Sequence, residues 1–323
     1  MMNDTWDRRR FLKRMGVAAA GVAAASGIGL LARDRGRDEP PSGRRTGQRR
    51  DFRRGLDRPD VDLVVARGDP DAATRAAVGA LGGMKAFVRP GEVVVVKPNV
   101  GWDRTPVQAA NTNPLVVAAI VRMCLAAGAG RVVVTDNSCN EAKRCFTRSG
   151  IWKAASEAGA DVVVPAAHMF AEQDLGGVIL GRMPVLGPAV RADRFINVPV
   201  AKHHGLAGFT GAMKNLYGVL GGRRNRLHQR IDDSLADLAD FVRPTLTIMD
   251  ATRVLVRNGP QGGDVADTEV RNQVIASVDQ VAVDTYSCGL IGLKPADLPY
   301  LALGESRGLG TTRLEGLKRR EVS

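Results

Sequence analysis

The residues best suited to chemistry in this sequence stand where short apolar runs end. Lys97 and Asn99 follow four consecutive valines, and Asp136 follows three valines and a threonine. Lys202 and His204 follow a third apolar run. In open α/β sheets, ligands bind in the crevice beyond the carboxyl ends of the strands, so we expect these three tips to form one site. Its chemistry would be anion binding by ammonium groups, with an imidazole and a carboxylate available for proton transfer.

A glycine-rich segment, residues 202–218, carries the densest set of such groups. Its glycines let a ligand approach the backbone, and Thr210 with the amides that follow it could begin a helix whose N-terminus favours an anion. Lys202, Lys214 and Asn215 add charge and hydrogen-bonding capacity. The spacing of a Walker A loop is absent, so a nucleoside triphosphate is not implied. The alternative is a structural glycine-rich loop with a solvated basic rim.

Three of the four histidines, His203, His204 and His228, fall in or just after this segment. Clustered imidazoles suit proton transfer near neutral pH or metal binding, although their spacing matches no established metal motif. Adjacent residues on an extended segment point to opposite faces, so we expect only one of His203 and His204 to reach the site.

The four cysteines do not form a disulfide framework, and no C-x-x-C spacing occurs. Cys124 and Cys288 lie in apolar helical patterns and are expected to be buried. Cys139 and Cys145 lie close together in a polar loop, where either a local disulfide or a pair of soft metal ligands is allowed.

From residue 61 onwards, β-branched runs alternate with helical stretches, which predicts an α/β fold. We expect a mostly parallel or mixed central sheet with helices on both faces. The predicted strands are Val61–Arg67, Glu92–Lys97, Arg131–Thr135, Asp161–Val164, Arg194–Val200, Leu246–Asp250 and Val274–Val278. The predicted helices begin at Asn113-Pro114 and end at Gly128, run from about Ile151 to Ala158, and span Arg230–Val242.

The first 32 residues read as a twin-arginine signal peptide. Arg8 and Arg9 are followed by Phe11, Leu12 and Lys13, and then by an apolar run rich in Ala and Gly. The predicted partner is therefore the twin-arginine export machinery, and the predicted location is the periplasm or another extracytoplasmic compartment. An uncut signal would leave a membrane tether.

The next segment, residues 33–60, is rich in Arg, Asp, Gly and Pro and is predicted to be a disordered linker. A single α/β domain, residues 61–323, follows it.

The net charge of +12 comes largely from the N-terminal region, because residues 1–60 hold 15 of the 46 Lys and Arg residues but only 8 of the 34 Asp and Glu residues. The remaining chain is only mildly basic. Aromatic residues make up 4% of the chain, too few for the stacking surfaces that bind single-stranded nucleic acid. We therefore expect no nucleic-acid partner. The sequence indicates no particular cofactor.

Several motifs together resemble one bacterial and archaeal family, catalogued as domain of unknown function 362. They run in order from about residue 61 to 307: VVVKPN at 94–99, TNP at 112–114, VVTDN at 133–137, NVP at 197–199 with Lys202 and His204, TGAMKNLYG at 210–218, NGPQGG at 258–263 and VAVD at 281–284.

The resemblance implies no settled reaction. Some members are joined to ferredoxin modules, but this chain lacks a ferredoxin-type cysteine run, so an iron–sulfur cluster is not carried over. The chain has Val200 where a lysine is common and Gly221 where a proline is usual. The candidate site residues that match the family's motifs are Lys97, Asn99, Asp136, Lys202, His204, Lys214, Asn215 and Asp284.

Three functions fit the sequence. The first is an exported enzyme for a small anionic substrate, with His204, Asp136 and Lys202 as catalytic residues and with a substrate-binding set of Lys97, Asn99, Lys214, Asn215, Thr210 and Asp284. The second is a metal- or cofactor-carrying redox or maturation protein, with Asp136, Cys139, Cys145, His204 and Asp284 as candidate ligands. The third is a periplasmic solute-binding protein, which the lack of two clearly repeated lobes disfavours.

Overall fold

The computed structural model describes residues 49–323. The predicted signal and the first part of the predicted linker lie outside the described residues. Within residues 49–323, no helix is both long and apolar enough to cross a membrane.

The secondary-structure elements alternate along the chain, as predicted for an α/β protein. The strands are β1 (Arg50–Asp51), β2 (Leu63–Arg67), β3 (Val93–Pro98), β4 (Arg131–Thr135), β5 (Asp161–Val163), β6 (Phe170–Asp174), β7 (Arg182–Leu186), β8 (Arg194–Val198), β9 (Val200–His204), β10 (Gly208–Thr210), β11 (Val242–Arg243), β12 (Leu246–Leu255), β13 (Thr268–Ser277) and β14 (Arg319–Val322). The helices are α1 (Pro70–Ala80), α2 (Pro114–Ala126), α3 (Ala142–Arg148), α4 (Ile151–Glu157), α5 (Gly187–Arg191), α6 (Ala212–Asn215), α7 (Ile231–Phe241), α8 (Gln280–Ser287) and α9 (Pro299–Ser306).

The central sheet is mixed but mostly parallel, which confirms the predicted fold class. Its main path has the order β14-β2-β13-β12-β8-β3-β4-β5, and the β9–β10 pair joins it alongside β12. The neighbours β12, β8, β3, β4 and β5 are all parallel, whereas β13 is antiparallel to β12 and β2. The carboxyl ends of β8, β3 and β4 therefore meet at one edge of the sheet.

The sheet is covered on both faces because its strands alternate their side chains between two apolar clusters. Val94 and Val96 lie in a cluster with residues of α1, α2, α3 and α4, whereas Val95 lies in a cluster with residues of α7, α8 and α9. A strand buried on both sides reads as a continuous apolar run, as β3 does. Helix α2 begins where predicted, since the Asn113 side chain accepts the Leu115 amide and proline occupies the first turn.

The end of the predicted linker is part of the fold. Strand β1 pairs in parallel with β11, and Phe52 is buried with its ring 5.5 Å from the ring of Phe195. Arg194 donates to the carbonyl oxygens of Phe52 and Arg54 and forms an ion pair with Glu92. The linker prediction is therefore wrong for residues 50–52, because one aromatic side chain reaches the core from a segment without hydrophobic periodicity.

The single strand predicted from Arg194 to Val200 divides at Pro199 into β8 and β9. Proline has no amide hydrogen to donate to a ladder. Strand β9 then pairs with β10 and β12, which places Lys202 and His204 on a strand rather than on a loop after one.

Candidate functional site

A buried ion pair lies at the tips of the neighbouring strands β3 and β4. Lys97 Nζ is 2.7 Å from Asp136 Oδ1, and both side chains are almost fully buried. The second oxygen, Asp136 Oδ2, accepts the Val100 amide at 2.7 Å. Gly218 makes the pair possible, because a Cβ atom there would collide with both Asp136 and Lys97. The site therefore contains a fixed carboxylate whose charge Lys97 already balances.

Three asparagine side chains connect the elements that carry the site. Asn99 donates to Asn215 Oδ1 at 3.0 Å, and Asn215 donates to Asn197 Oδ1 at 2.8 Å. Asn197 in turn donates to the carbonyl oxygen of Ala212 at 2.8 Å. This chain of amides links β3, β8 and α6, so Asn215 has a positioning role within the protein.

Lys202 is held by acceptors of the protein. Its ammonium group donates to Asn99 Oδ1 at 3.0 Å and to the carbonyl oxygen of Ala110. Burial is the main cause that lowers the pKa of Lys202 to about 7, and the nearby charges of Lys214 and Lys97 act in the same direction.

Lys214 is buried but has no comparable partners. Its Nζ lies 3.6 Å from the centre of the Tyr217 ring, a cation–π contact, and within residues 49–323 it forms no hydrogen bond or ion pair. The side chain is 8% exposed. Burial lowers the pKa of Lys214 to about 7, with Arg224 and Lys97 adding to the shift.

Arg224 joins the site from the 3₁₀ segment Arg224–Arg230. Its guanidinium group donates to the carbonyl oxygens of Asn137, Tyr217 and Ser138, at 2.9, 3.2 and 3.0 Å. These contacts fix the position of the guanidinium group without neutralising its charge.

His204 reaches the site, whereas His203 turns away and accepts the Gly259 amide. His204 Nδ1 accepts the amides of Leu206 and Ala207, at 3.1 and 3.2 Å. Burial, with the positive charges of Lys214 and Lys202, lowers the pKa of His204 to about 3. The ring is therefore neutral with its proton on Nε2. In this geometry His204 is suited to donate a hydrogen bond from Nε2 rather than to act as the acid or base that the sequence predicts.

Asp284 does not line the cavity between these groups. It is fully buried, and its carboxylate accepts the amides of Ala212 and Met213. A Cβ atom at Gly211 would collide with it. The amides predicted to receive an anionic ligand are thus occupied by a carboxylate of the protein itself, and Gly211 makes room for that carboxylate.

The other predicted residues line a cavity of about 70 Å³, except Lys97, which is paired with Asp136 and lies outside the lining. Thr210 lines it with a buried hydroxyl that lacks a hydrogen-bond partner among the described residues. The lining consists of Asn99, Gly101, Trp102, Asp136, Asn137, Cys139, Lys202, His204, Thr210, Lys214, Asn215, Tyr217, Gly218, Arg224 and Pro260. We call this space the cation-lined cavity, because Lys202, Lys214 and Arg224 face only one carboxylate, and Lys97 already pairs with that carboxylate.

The candidate metal ligands are not assembled. Cys139 is exposed and lines the cavity, but Cys145 is a buried free thiol and Asp284 is buried outside the lining. Within residues 49–323, no group of three or more His, Cys, Asp or Glu residues is arranged to hold a metal ion. Cys139 and Cys145 are both unpaired.

Residues 94–289 match the family described as "Domain of unknown function (DUF362)", and the chain belongs to this family. It is 27% identical over 252 residues to a thylakoid-associated protein of Synechocystis sp., covering 76% of this chain and 77% of that protein.

Two solved structures show a more distant likeness. A protein from Thermotoga maritima has a TM-score of 0.42 and 12% identity over 70% of this chain. The lactate racemase apoprotein from Thermoanaerobacterium thermosaccharolyticum has a TM-score of 0.40 and 14% identity over 72% of this chain. The matched regions span 60% and 57% of those two proteins, less than two thirds of either.

Most of the site residues follow from the sequence, but three of its polar residues do not. Arg224 lies outside every motif described above, and Tyr217 and Asn197 fall in family motifs that assign them no role. The spacing from Lys214 to Tyr217 is the signal that could have identified the ring, because residues three apart on a helical turn are neighbours.

Proposed function

We propose that this protein is an enzyme that binds a small anionic substrate, a carboxylate or a phosphate, in the cation-lined cavity. The observation that carries the proposal is the unbalanced charge around the cavity. Lys202, Lys214 and Arg224 face it, and the only carboxylate that residues 49–323 contribute to its lining, Asp136, is already paired with Lys97.

The free-energy cost of burying Lys214 supports the same proposal. Burying an ammonium group is costly unless an opposite charge or acceptors compensate, and like charges nearby add to the cost. Lys202 has two acceptors from the protein, but among residues 49–323 Lys214 has only the face of an aromatic ring. A bound anion would supply the missing partner for Lys214 and would accept hydrogen bonds from Thr210 and His204 as well.

The cavity volume limits the size of the substrate. Drug-sized ligands occupy cavities of about 300–1,000 Å³, and one water needs about 10–15 Å³. A cavity of about 70 Å³ therefore suits a ligand, or the reacting end of one, with only a handful of non-hydrogen atoms.

Thermal-shift titration tests the proposal. Phosphate, acetate and oxalate are compared with a neutral amide of similar size, using wild type, Lys214→Met and the surface control Lys153→Met, whose side chain is 81% exposed. We expect at least one anion to stabilise wild type and Lys153→Met alike, and Lys214→Met much less. An absence of stabilisation by every anion, or an equal response of all three proteins, would remove the cavity as an anion site.

The twin-arginine pattern supports the proposal that the enzyme works outside the cytoplasm. A receptor reads the arginine pair itself rather than its charge, so changing Arg8 and Arg9 to lysine should retain the full-length chain in the cytoplasm. Fractionation of cells that express both forms checks this. Unchanged export of the lysine variant would refute it.

A further inference from the structure

The three lysines of the site differ in what holds their amino groups. Lys97 is paired with Asp136 and also donates to the Pro98 carbonyl oxygen at 3.0 Å. Lys202 donates to Asn99 and to the Ala110 carbonyl oxygen. Lys214 has neither an anion nor an oxygen acceptor within residues 49–323, and its Nζ reaches the cavity beside the Tyr217 ring. Lys214 therefore loses the least when its amine becomes neutral.

The surroundings of Lys214 also favour the neutral amine. The side chain is more than nine-tenths buried, and Arg224 and Lys202 line the same small cavity. A lysine that is desolvated and close to another cation is the arrangement that activates an amine to attack a carbonyl carbon. The lowered pKa of Lys214, about 7, agrees with this geometry.

We infer that Lys214 forms an imine with a small 2-oxo acid bound in the cation-lined cavity. This inference rests on the proposed function, because it takes the anion to be a carboxylate that carries a neighbouring ketone. In a 2-oxo acid the carboxylate group is bonded directly to the reacting ketone carbon. That spacing suits an amine flanked by the charges of Arg224 and Lys202.

The reaction needs no oxidant or reductant. The lone pair of neutral Lys214 Nζ forms the C–N bond, and the carbonyl electron pair moves to oxygen, which takes up a proton to give a carbinolamine. Loss of that oxygen with two hydrogens as water forms the C=N bond. Lys202 lines the same cavity, and with its pKa lowered to about 7 its ammonium group is a suitable proton donor.

Reductive trapping tests this inference. Wild-type protein is incubated at neutral pH with pyruvate and sodium cyanoborohydride, which converts an imine into a stable secondary amine, and the modified lysine is located by peptide mass mapping. An ordinary lysine has a pKa of about 10.4, so lowering it to about 7 raises the neutral fraction at pH 7 by roughly 10²–10³-fold. We expect Lys214 to be labelled faster than surface lysines such as Lys153 by roughly that factor, and oxalate to slow the labelling.

The variants separate imine formation from binding. Lys214→Arg keeps the charge but cannot form an imine, so it should still be stabilised by oxalate and should lose the cavity label. Lys153→Met should be labelled like wild type. Labelling of Lys202 instead of Lys214, or labelling spread evenly over surface lysines, would overturn the inference.

The two proposals fail in different ways. If oxalate stabilises wild type but pyruvate leaves no label on Lys214, imine formation is refuted and the anion site stands. If no anion stabilises the protein, the proposed function itself has failed.

Discussion

Two buried charged residues, Asp237 and Lys214, differ in how many partners the surrounding residues provide for them. The Asp237 carboxylate accepts the amides of Val178, Ile179 and Leu180, at 3.0, 2.7 and 2.8 Å, and pairs with Arg307 at 2.6 Å. In the part of the chain that the structure describes, the Lys214 ammonium group contacts only the face of the Tyr217 ring. A charge that holds structure together is surrounded by partners, whereas a charge kept for a ligand lacks one until the ligand arrives.

The largest effect expected from this comparison is on stability. Asp237→Ala would leave the buried Leu180 amide, the partly buried amides of Val178 and Ile179 and the partly buried Arg307 guanidinium group without their acceptor. Breaking such a buried network costs about 3–5 kcal/mol. Lys214→Met removes a costly buried charge, so its free energy of unfolding should stay within about 1 kcal/mol of wild type or rise. Urea unfolding of the described domain measures both. A loss for Lys214→Met as large as that for Asp237→Ala would show that the Lys214 charge also stabilises the fold.

The segment around Phe52 provides a second test, which asks whether residues 50–52 belong to the folded core. Phe52→Ala should lower the free energy of unfolding by about 3 kcal/mol, because a buried phenylalanine stacked on Phe195 is lost from the core. Asp57→Ala, in the same segment but outside the core, is the control and should have little effect. Equal stability of wild type and Phe52→Ala would show that residues 50–52 act as a linker after all.

Anion binding should depend on pH, because the charge of Lys214 is lost near neutral pH. Burial lowers the pKa of Lys214 to about 7, so its ammonium form, which attracts the anion, disappears as the pH rises above 7. Affinity for oxalate should therefore fall by up to about tenfold per pH unit above 7. Lys214→Arg should remove the part of this dependence that comes from Lys214, because arginine keeps its charge throughout, and should leave the part from Lys202, whose pKa is also lowered to about 7. Titrations at several pH values between 6 and 9 check this, and a profile that is flat for wild type would contradict it.

The free energy of unfolding of the ligand-free protein should rise with pH, in contrast to the affinity for oxalate, which should fall. A lysine whose folded-state pKa is lowered binds fewer protons in the folded than in the unfolded protein between about pH 7 and 10.4. Its contribution to the free energy of unfolding therefore rises with pH over that window. Wild type should gain stability relative to Lys214→Met as the pH increases from 7 to 9, and an unchanged difference would contradict the lowered pKa.

Part of the site could be predicted from local patterns in the sequence. Lys97 and Asp136 were predictable because each stands at the end of an apolar run that must be a buried strand, and parallel strands end at a common edge. Lys202 was predicted to join them, although it lies on β9 rather than beyond the end of β8. Strands β2, β3, β4, β5, β8, β12 and β13 and the start of α2 were predictable for the same local reasons.

The remaining features depend on contacts between distant parts of the chain. Asp284 lies in an apolar helix, and nothing in its sequence neighbourhood shows that its carboxylate receives the amides of Ala212 and Met213. Arg224 enters the site from a 3₁₀ segment without periodicity, and Phe52 reaches the core from a stretch with linker-like composition. Tertiary packing decides all three positions.

The central claim, that the cation-lined cavity binds a small anion through Lys214, is tested most directly by titration calorimetry of oxalate at pH 6.5. A charge-assisted hydrogen bond contributes about 1.5–3 kcal/mol, so Lys214→Met should bind roughly one to two decades more weakly than wild type. Lys214→Arg should retain most of the affinity, and Lys153→Met all of it. Equal affinities of wild type and Lys214→Met, or no measurable heat of binding for wild type, would contradict the account.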